Sequence, residues 1–127
     1  MHTHTENRQK QHGIKHVIAA FGYTLCGLRA ALNETAIRHE LVVGIMHFIA
    51  LAVLDLPFVS KLLLTCLWGG VLIVEMLNTA IEAVVDIASP GQNELAKKAK
   101  DLGSAAVFCA LVVFGASWVL TIVAVTR

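Results

Sequence analysis

The chain has 127 residues, of which 57% are hydrophobic and 15% are charged, a composition too apolar for an ordinary soluble domain. The formal net charge of +1 indicates no general attraction to nucleic acid. Cys26, Cys66 and Cys109 fall in three different predicted helices, so neither a disulfide framework nor a thiolate metal site is indicated.

The N-terminal region combines a polar tail with an amphipathic helix. Residues 1–13 lack periodicity and predict a loose tail. Residues 14–32 predict a helix, because their apolar side chains recur at helical spacing, at Ile14, Val17, Ile18, Phe21, Leu25, Leu28 and Leu32. The helix is cationic, which favours a position in the membrane interface; packing against a soluble partner is the alternative.

Three apolar stretches follow, and each is long enough to cross a hydrocarbon core of about 30 Å. The first predicted span is 35–55, with Asn33 as a possible helix cap. The second predicted span is 57–87 and begins with a proline, which suits the first turn of a helix. A charged cytoplasmic connection, 88–102, separates it from the third predicted span, 103–126. Within this connection Glu94 to Asp101 are predicted to be helical, because Glu94 with Lys98 and Lys97 with Asp101 fit i,i+4 pairing.

The distribution of lysine and arginine predicts the orientation in the membrane. Eight of these residues fall on the side of the N-terminus and the second connection, namely Arg8, Lys10, Lys15, Arg29, Arg38, Lys97, Lys98 and Lys100. Only Lys61 and Arg127 fall on the other side. Because positively charged loops stay in the cytoplasm, the N-terminus is predicted to be cytoplasmic and the C-terminus outside.

A polar stripe lies on the second span, toward its predicted cytoplasmic end. Residues seven apart on a helix lie almost above one another, so one face gathers Glu75, Asn78, Thr79, Glu82 and Asp86. An ionisable residue within the membrane costs roughly 2.5–3.5 kcal/mol on insertion scales. Two glutamates in this stripe therefore indicate a functional site, and pairing with neighbouring helices is the structural alternative.

Charged residues from other segments are predicted to join the stripe at the membrane surface. Glu34 lies at the same boundary, and Lys97, Lys98 and Lys100 follow the second span. Carboxylates can hold Mg²⁺ together with substrate phosphates, and lysines neutralise phosphate charge. A partly desolvated Glu75 could act as a general base. These groups fit phosphoryl transfer, although the sequence has neither a GxxxxGK[ST] motif nor a kinase-type glycine loop.

Three sequence blocks resemble the signature of the prokaryotic diacylglycerol kinase family. They are the ExxNxxxExxxD pattern from Glu75 to Asp86, KDLGSAA from Lys100 to Ala106, and GLRAALNE from Gly27 to Glu34. The resemblance covers roughly residues 13–125. It implies an all-α integral membrane protein with an interfacial helix and three transmembrane helices per subunit. It also implies a homotrimer with shared active sites in the bacterial inner membrane.

The same resemblance implies the reaction and the residues that perform it. The γ-phosphoryl group of MgATP moves to the free hydroxyl of 1,2-diacylglycerol and gives phosphatidic acid. The implied catalytic residues are Glu75 as general base, Asn78 and Lys100. The other implied roles are metal binding by Glu34 and Glu82, ATP binding by Tyr23, Glu34, Glu82, Lys100 and Asp101, and substrate binding by Arg29, Ala30, Ala31, Glu75, Ser104 and Trp118.

Other functions remain open at this point. A polyprenol kinase would use the same chemistry with undecaprenol as the acceptor, because generic apolar residues line the lipid path. A small oligomeric proton-coupled transporter would need a carboxylate near mid-membrane but no ATP, and a membrane scaffold would need neither. For Trp118, an interfacial or packing role is the alternative to lipid binding. Lys15 and His16 stand where the family commonly carries an arginine.

Overall fold

The computed structural model describes residues 14–91 and 93–127, so the predicted tail at 1–13 lies outside the described residues. Within these ranges the regular structure is entirely helical, which confirms the predicted all-α class. The four helices are α1 (Ile14–Asn33), α2 (Thr35–Val53), α3 (Phe58–Ala88) and α4 (Glu94–Val125).

Helix α1 belongs to a unit of its own, which ends at Asn33, and α2 to α4 form a second unit, Glu34–Arg127. Asn33 is the last residue of α1, so its prediction as the cap of the next helix is wrong. An N-cap needs a non-helical backbone, and Glu34 has one, with φ −78° and ψ 133°. The Glu34 side chain makes no capping hydrogen bond.

Three helices, α2, α3 and α4, are long and apolar enough to cross a membrane, as the sequence predicts. Helix α3 has 31 residues and is therefore about 46 Å long, more than the thickness of the hydrocarbon core. Large apolar side chains are exposed along all three helices, for example Val53, Phe58 and Leu120. Such surfaces suit contact with lipid tails.

The two connections between these helices are short. Pro57 occupies the N-cap position of α3, directly before its first turn. Asn93 caps α4, because its side-chain oxygen accepts hydrogen bonds from the backbone N–H groups of Leu95 (2.8 Å) and Ala96 (3.2 Å). This cap starts α4 at Glu94, so the charged residues of the predicted connection form the first turns of a continuous helix.

Packing within the second unit is concentrated along α3 and α4. One apolar core contains Leu51, Leu56 and the fully buried Leu64, with Trp118 packed against them. Gly44 of α2 allows the Trp68 ring to approach closely, since a Cβ at this position would lie 2.6 Å from Cε2 of Trp68. These contacts hold α2 and α4 beside the N-terminal half of α3.

An aromatic cluster surrounds His47 on α2, and its other members are Phe48, Trp68, Phe114 and Trp118. The His47 side chain is only 4% exposed, and its Nδ1 accepts a hydrogen bond from Nε1–H of Trp118 at 3.2 Å. A neutral imidazole that accepts at Nδ1 carries its proton on Nε2. Among the described residues, Nε2 of His47 and Nε1 of Trp68 have no hydrogen-bond partner.

Candidate functional site

The polar stripe of α3 is buried against neighbouring helices at its N-terminal end and becomes more exposed toward Asp86. Glu75 is 6% exposed and Asn78 is 8% exposed, while Glu82, one turn further on, is half-buried. Nδ2 of Asn78 donates a hydrogen bond to Oε1 of Glu82 at 3.2 Å. Because a carboxylate only accepts hydrogen bonds, this contact determines which end of the amide faces Glu82. No described hydrogen bond involves the carboxylate of Glu75.

Helix α4 makes its close approach to this stripe at a glycine. A Cβ on Gly103 would overlap Oδ1 of Asn78 and lie 3.2 Å from its Cγ. Oδ1 of Asn78 is buried and accepts no hydrogen bond from the described residues. A buried amide oxygen without a donor carries a desolvation cost, which makes this atom unusual in a packed structure.

Glu40 of α2 is a further carboxylate near Glu75, and no role was predicted for it from the sequence. It lies within electrostatic range of Glu75, and its Oε2 is buried without a hydrogen-bond partner among the described residues. Two carboxylates within electrostatic range repel each other, which favours a cation or a proton near them. The sequence feature that could have identified Glu40 is its position as the last charged residue before the apolar run of α2.

Two ion pairs lie near the start of α4, one of which joins this helix to the end of α3 while the other lies within α4. Nζ of Lys100 donates to Oδ1 of Asp86 at 2.6 Å, and Nζ of Lys97 donates to Oδ2 of Asp101 at 2.5 Å. Both pairs are exposed to solvent, and exposed ion pairs contribute little to stability. Their charges are therefore available to a ligand.

A cavity of about 710 Å³ lies between these two helix ends, and Asp86, Ser89, Lys97, Lys100 and Asp101 are among the residues that line it. This volume lies within the range typical of small-molecule and cofactor sites. Its wall carries two ammonium groups, Lys97 and Lys100, and three carboxylates, Asp86, Glu94 and Asp101, a mixture that suits a polyphosphate accompanied by a divalent cation.

The structure places the predicted site residues in separate groups. Glu75, Asn78 and Glu82 share the inner face of α3, and Lys100 and Asp101 line the cavity. Ser104 directly follows Gly103 and is exposed, whereas Trp118 lies about 21 Å further along α4, in the aromatic cluster.

Two other sets of predicted residues belong to neither α3 nor α4. Glu34 is exposed at the start of α2, and none of the hydrogen bonds or ion pairs between described residues connects it to Glu82. Tyr23, Arg29, Ala30 and Ala31 belong to α1, which is a separate unit. Their predicted roles stay predictions.

The donor set suits a cation that takes few protein ligands. Within residues 14–91 and 93–127, no group of three or more His, Cys, Asp or Glu side chains is arranged to hold a metal ion. Mg²⁺ commonly takes one or two carboxylates and completes its shell with phosphate and water. Glu82 fits this pattern, because Asn78 occupies Oε1 and no described hydrogen bond occupies Oε2.

Known proteins resemble the chain over most of its length. The sequence profile of the prokaryotic diacylglycerol kinase family matches residues 22–122, a range that contains every candidate site residue named above. A diacylglycerol kinase from Escherichia coli (strain K12) is 43% identical over 107 residues, which cover 84% of this chain and 88% of that protein. Proteins of the same name from Sinorhizobium sp and Pseudomonas aeruginosa are each 39% identical. The Sinorhizobium match covers 84% of this chain and 78% of its relative, and the Pseudomonas match covers 85% and 89%.

Proposed function

The chain belongs to the prokaryotic diacylglycerol kinase family, and from this premise we propose that the carboxylates of α3 and the cations of α4 form its active site. The chain is an ATP-dependent diacylglycerol kinase in a bacterial membrane, with ATP and a lipid as its substrates. Family membership favours neither the polyprenol kinase nor the proton-coupled transporter considered above.

Glu75 is the general base of the proposed reaction. The Glu75 residue is only 6% exposed, and its carboxylate receives no described hydrogen bond from the protein, so both oxygens are free to accept a proton. It takes the proton from the free hydroxyl of diacylglycerol as that oxygen attacks the γ-phosphorus of ATP, the bond from this phosphorus to the β–γ bridging oxygen breaks, and ADP leaves with that oxygen. This nearly buried and unpaired carboxylate is the observation that carries the proposal, and general-base catalysis typically contributes about 10²–10⁴-fold.

Glu82 and Glu34 are proposed to hold Mg²⁺ with the ATP phosphates. When bound, the ion neutralises charge on the phosphate oxygens. Asn78 supports this arrangement, because its hydrogen bond orients one oxygen of Glu82 and leaves the other free for the ion. Glu34 is exposed, so its carboxylate is accessible to a nucleotide that arrives from solvent.

The cavity at the start of α4 is the proposed nucleotide site. Lys100 exchanges its bond with Asp86 for a phosphate oxygen, and Asp101 lines the same wall. Exchange is favourable because a multiply charged phosphate attracts the ammonium more strongly than a single exposed carboxylate. Tyr23 of α1 is proposed to contact the nucleotide as well.

The lipid path is proposed to run along Arg29, Ala30 and Ala31 of α1 and along Ser104 and Trp118 of α4. In this arrangement α1 lies in the interface of the inner membrane, with the N-terminus in the cytoplasm. A homotrimer with shared sites is proposed, in which other subunits cover part of the exposed surface of the spans; only 6% of the apolar window of α4 is buried within one chain, which leaves room for contact with both lipid and other subunits. Three spans alone do not enclose both a lipid headgroup and a nucleotide.

A phosphorylation assay in mixed micelles tests the site. With labelled ATP and Mg²⁺, the protein should label diacylglycerol but not undecaprenol. Glu75→Gln should lower the turnover number at least about 100-fold, because an amide does not accept the hydroxyl proton. Asp55→Asn is the matched control, since Asp55 is an exposed acid in the connection between α2 and α3. A Glu75→Gln enzyme with normal turnover would refute the assigned base.

A further inference from the structure

Gly103 is buried at the point where α4 meets the polar stripe, and a side chain at this position is excluded by one neighbour. That neighbour is Asn78, whose Oδ1 would overlap a Cβ on Gly103. Gly115, three turns further along the same helix, differs in this respect, since a Cβ there would meet nothing within 4 Å. The requirement for glycine therefore belongs to the contact at position 103 rather than to α4 in general.

The amide of Asn78 is held at both ends. Its nitrogen donates to Oε1 of Glu82 at 3.2 Å, and its oxygen lies against the open Cα of Gly103 without a hydrogen-bond donor among the described residues. The side chain is only 8% exposed, so little free space surrounds it. Packing against the glycine thus determines the rotation of the amide and the direction of its N–H groups.

We propose that Gly103 is a positioning residue for Glu82, the carboxylate proposed above to hold Mg²⁺, and that it acts through Asn78. A methyl group at position 103 would displace Oδ1 of Asn78 and rotate the amide. The hydrogen bond to Glu82 would break, and the carboxylate would turn freely between rotamers. Gly103 itself touches neither the nucleotide nor the lipid in this proposal, which rests on the proposed role of Glu82.

The size of the effect follows from the bond that is lost. A hydrogen bond to a charged group contributes enough to change an equilibrium constant by about tenfold to a hundredfold. The affinity for the metal–nucleotide complex should therefore fall by at least about tenfold in Gly103→Ala. The KM for diacylglycerol should stay within about twofold, because the lipid does not contact this glycine.

Direct binding of Mn²⁺ provides a readout that does not depend on turnover. The full chain in detergent would be titrated with Mn²⁺ and a non-hydrolysable ATP analogue, and free Mn²⁺ would be measured by electron paramagnetic resonance. Gly103→Ala should show the weakened binding. Gly115→Ala, the matched control on the same helix, should bind like the unsubstituted protein.

A double-substitution cycle separates action through Asn78 from a general packing defect. Asn78→Ala alone should weaken Mn²⁺–nucleotide binding about as much as Gly103→Ala does. The double variant should be no weaker than Asn78→Ala, because the overlapping amide is already absent. If Gly103→Ala does not fold, the double variant should fold, since the overlap has been removed.

The possible outcomes separate the two proposals. An unsubstituted protein that does not bind the Mn²⁺–nucleotide complex would refute the proposed metal role of Glu82. If it does bind, normal affinity in Gly103→Ala would overturn the positioning role alone. Additive losses in the double variant, or its failure to fold, would also overturn that role, because Gly103 would then act independently of Asn78.

Discussion

Two regions of the second unit, Glu34–Arg127, bury polar side chains. The buried atoms without hydrogen-bond partners are acceptors in one region and donors in the other. In the stripe of α3, the buried atom without a partner is an acceptor, Oδ1 of Asn78. A second buried acceptor without a partner, Oε2 of Glu40, comes from α2. In the aromatic cluster the corresponding atoms are donors, Nε2 of His47 and Nε1 of Trp68. Both statements concern the described residues.

This difference indicates which of the two regions suits phosphoryl transfer. Free acceptors attract a metal ion or the proton of a hydroxyl, and both are participants in phosphoryl transfer. The aromatic cluster instead uses its strongest polar contact, from Trp118 to His47, to join α4 to α2. We infer that the stripe of α3 serves catalysis and that the aromatic cluster serves helix packing. Substitutions in the two regions should therefore affect different properties.

The largest effect should come from Glu82→Gln. The amide keeps the shape of the side chain but removes the charge that attracts Mg²⁺, so turnover should fall by more than about 100-fold. Resistance to unfolding in SDS should not decrease, because the substitution removes a half-buried charge. A loss of stability parallel to the loss of activity would break the distinction between the two regions.

An intermediate effect is expected from Lys100→Gln. Removal of one phosphate-binding charge should raise the KM for ATP about tenfold while leaving the KM for diacylglycerol unchanged. Lys98→Gln is the matched control, because Lys98 is an exposed lysine on the same helix turn without a described ion pair. Equal changes in both variants would point to general charge attraction instead of a specific contact.

The smallest effect on turnover should come from Trp118→Phe in the aromatic cluster, which should mainly lower stability. Loss of the indole N–H leaves Nδ1 of His47 without its donor, at a cost of about 0.6–2 kcal/mol for a hydrogen bond between membrane helices. Trp68→Phe should cost less, because the N–H of Trp68 has no partner to lose. Unfolding in SDS would compare the two variants.

The same pair of variants tests the predicted contact of Trp118 with lipid. A changed KM for diacylglycerol in Trp118→Phe but not in Trp68→Phe would support a place on the lipid path. Unchanged values in both variants would leave Trp118 with the packing role alone.

The helices of the spans followed from elementary features of the sequence. Apolar runs of sufficient length predicted α2, α3 and α4, and Pro57 gave the start of α3 to within one residue. Residues 94–101 were predicted as a short helical connection, but the start of α4 as one continuous helix from Glu94 was not predicted, because the charged residues before Leu102 were assigned to that connection. Its location depends on Asn93, whose capping hydrogen bonds begin the helix two turns earlier than the apolar pattern does.

The site could be predicted only where one helix supplies its parts. Helical periodicity placed Glu75, Asn78 and Glu82 on one face, and the structure joins the last two by a hydrogen bond. Contacts between helices were not predictable in this way. The closeness of Gly103 to Asn78 and of Glu40 to Glu75 depends on helix packing, which periodicity within one segment does not encode.

The bond between Asn78 and Glu82 spans four residues of a single helix, whereas the glycine that packs on the same amide arrives with the next helix. During synthesis, α3 emerges from the ribosome before α4 does. The spacing of the carboxylates is therefore complete as soon as α3 has formed, whereas the orientation of Glu82 would, under the proposal for Gly103, be fixed only after α4 has docked. A chain synthesised only as far as α3 would contain these side chains without their final orientation. The enzyme would therefore acquire its catalytic geometry in one of the last steps of its biogenesis.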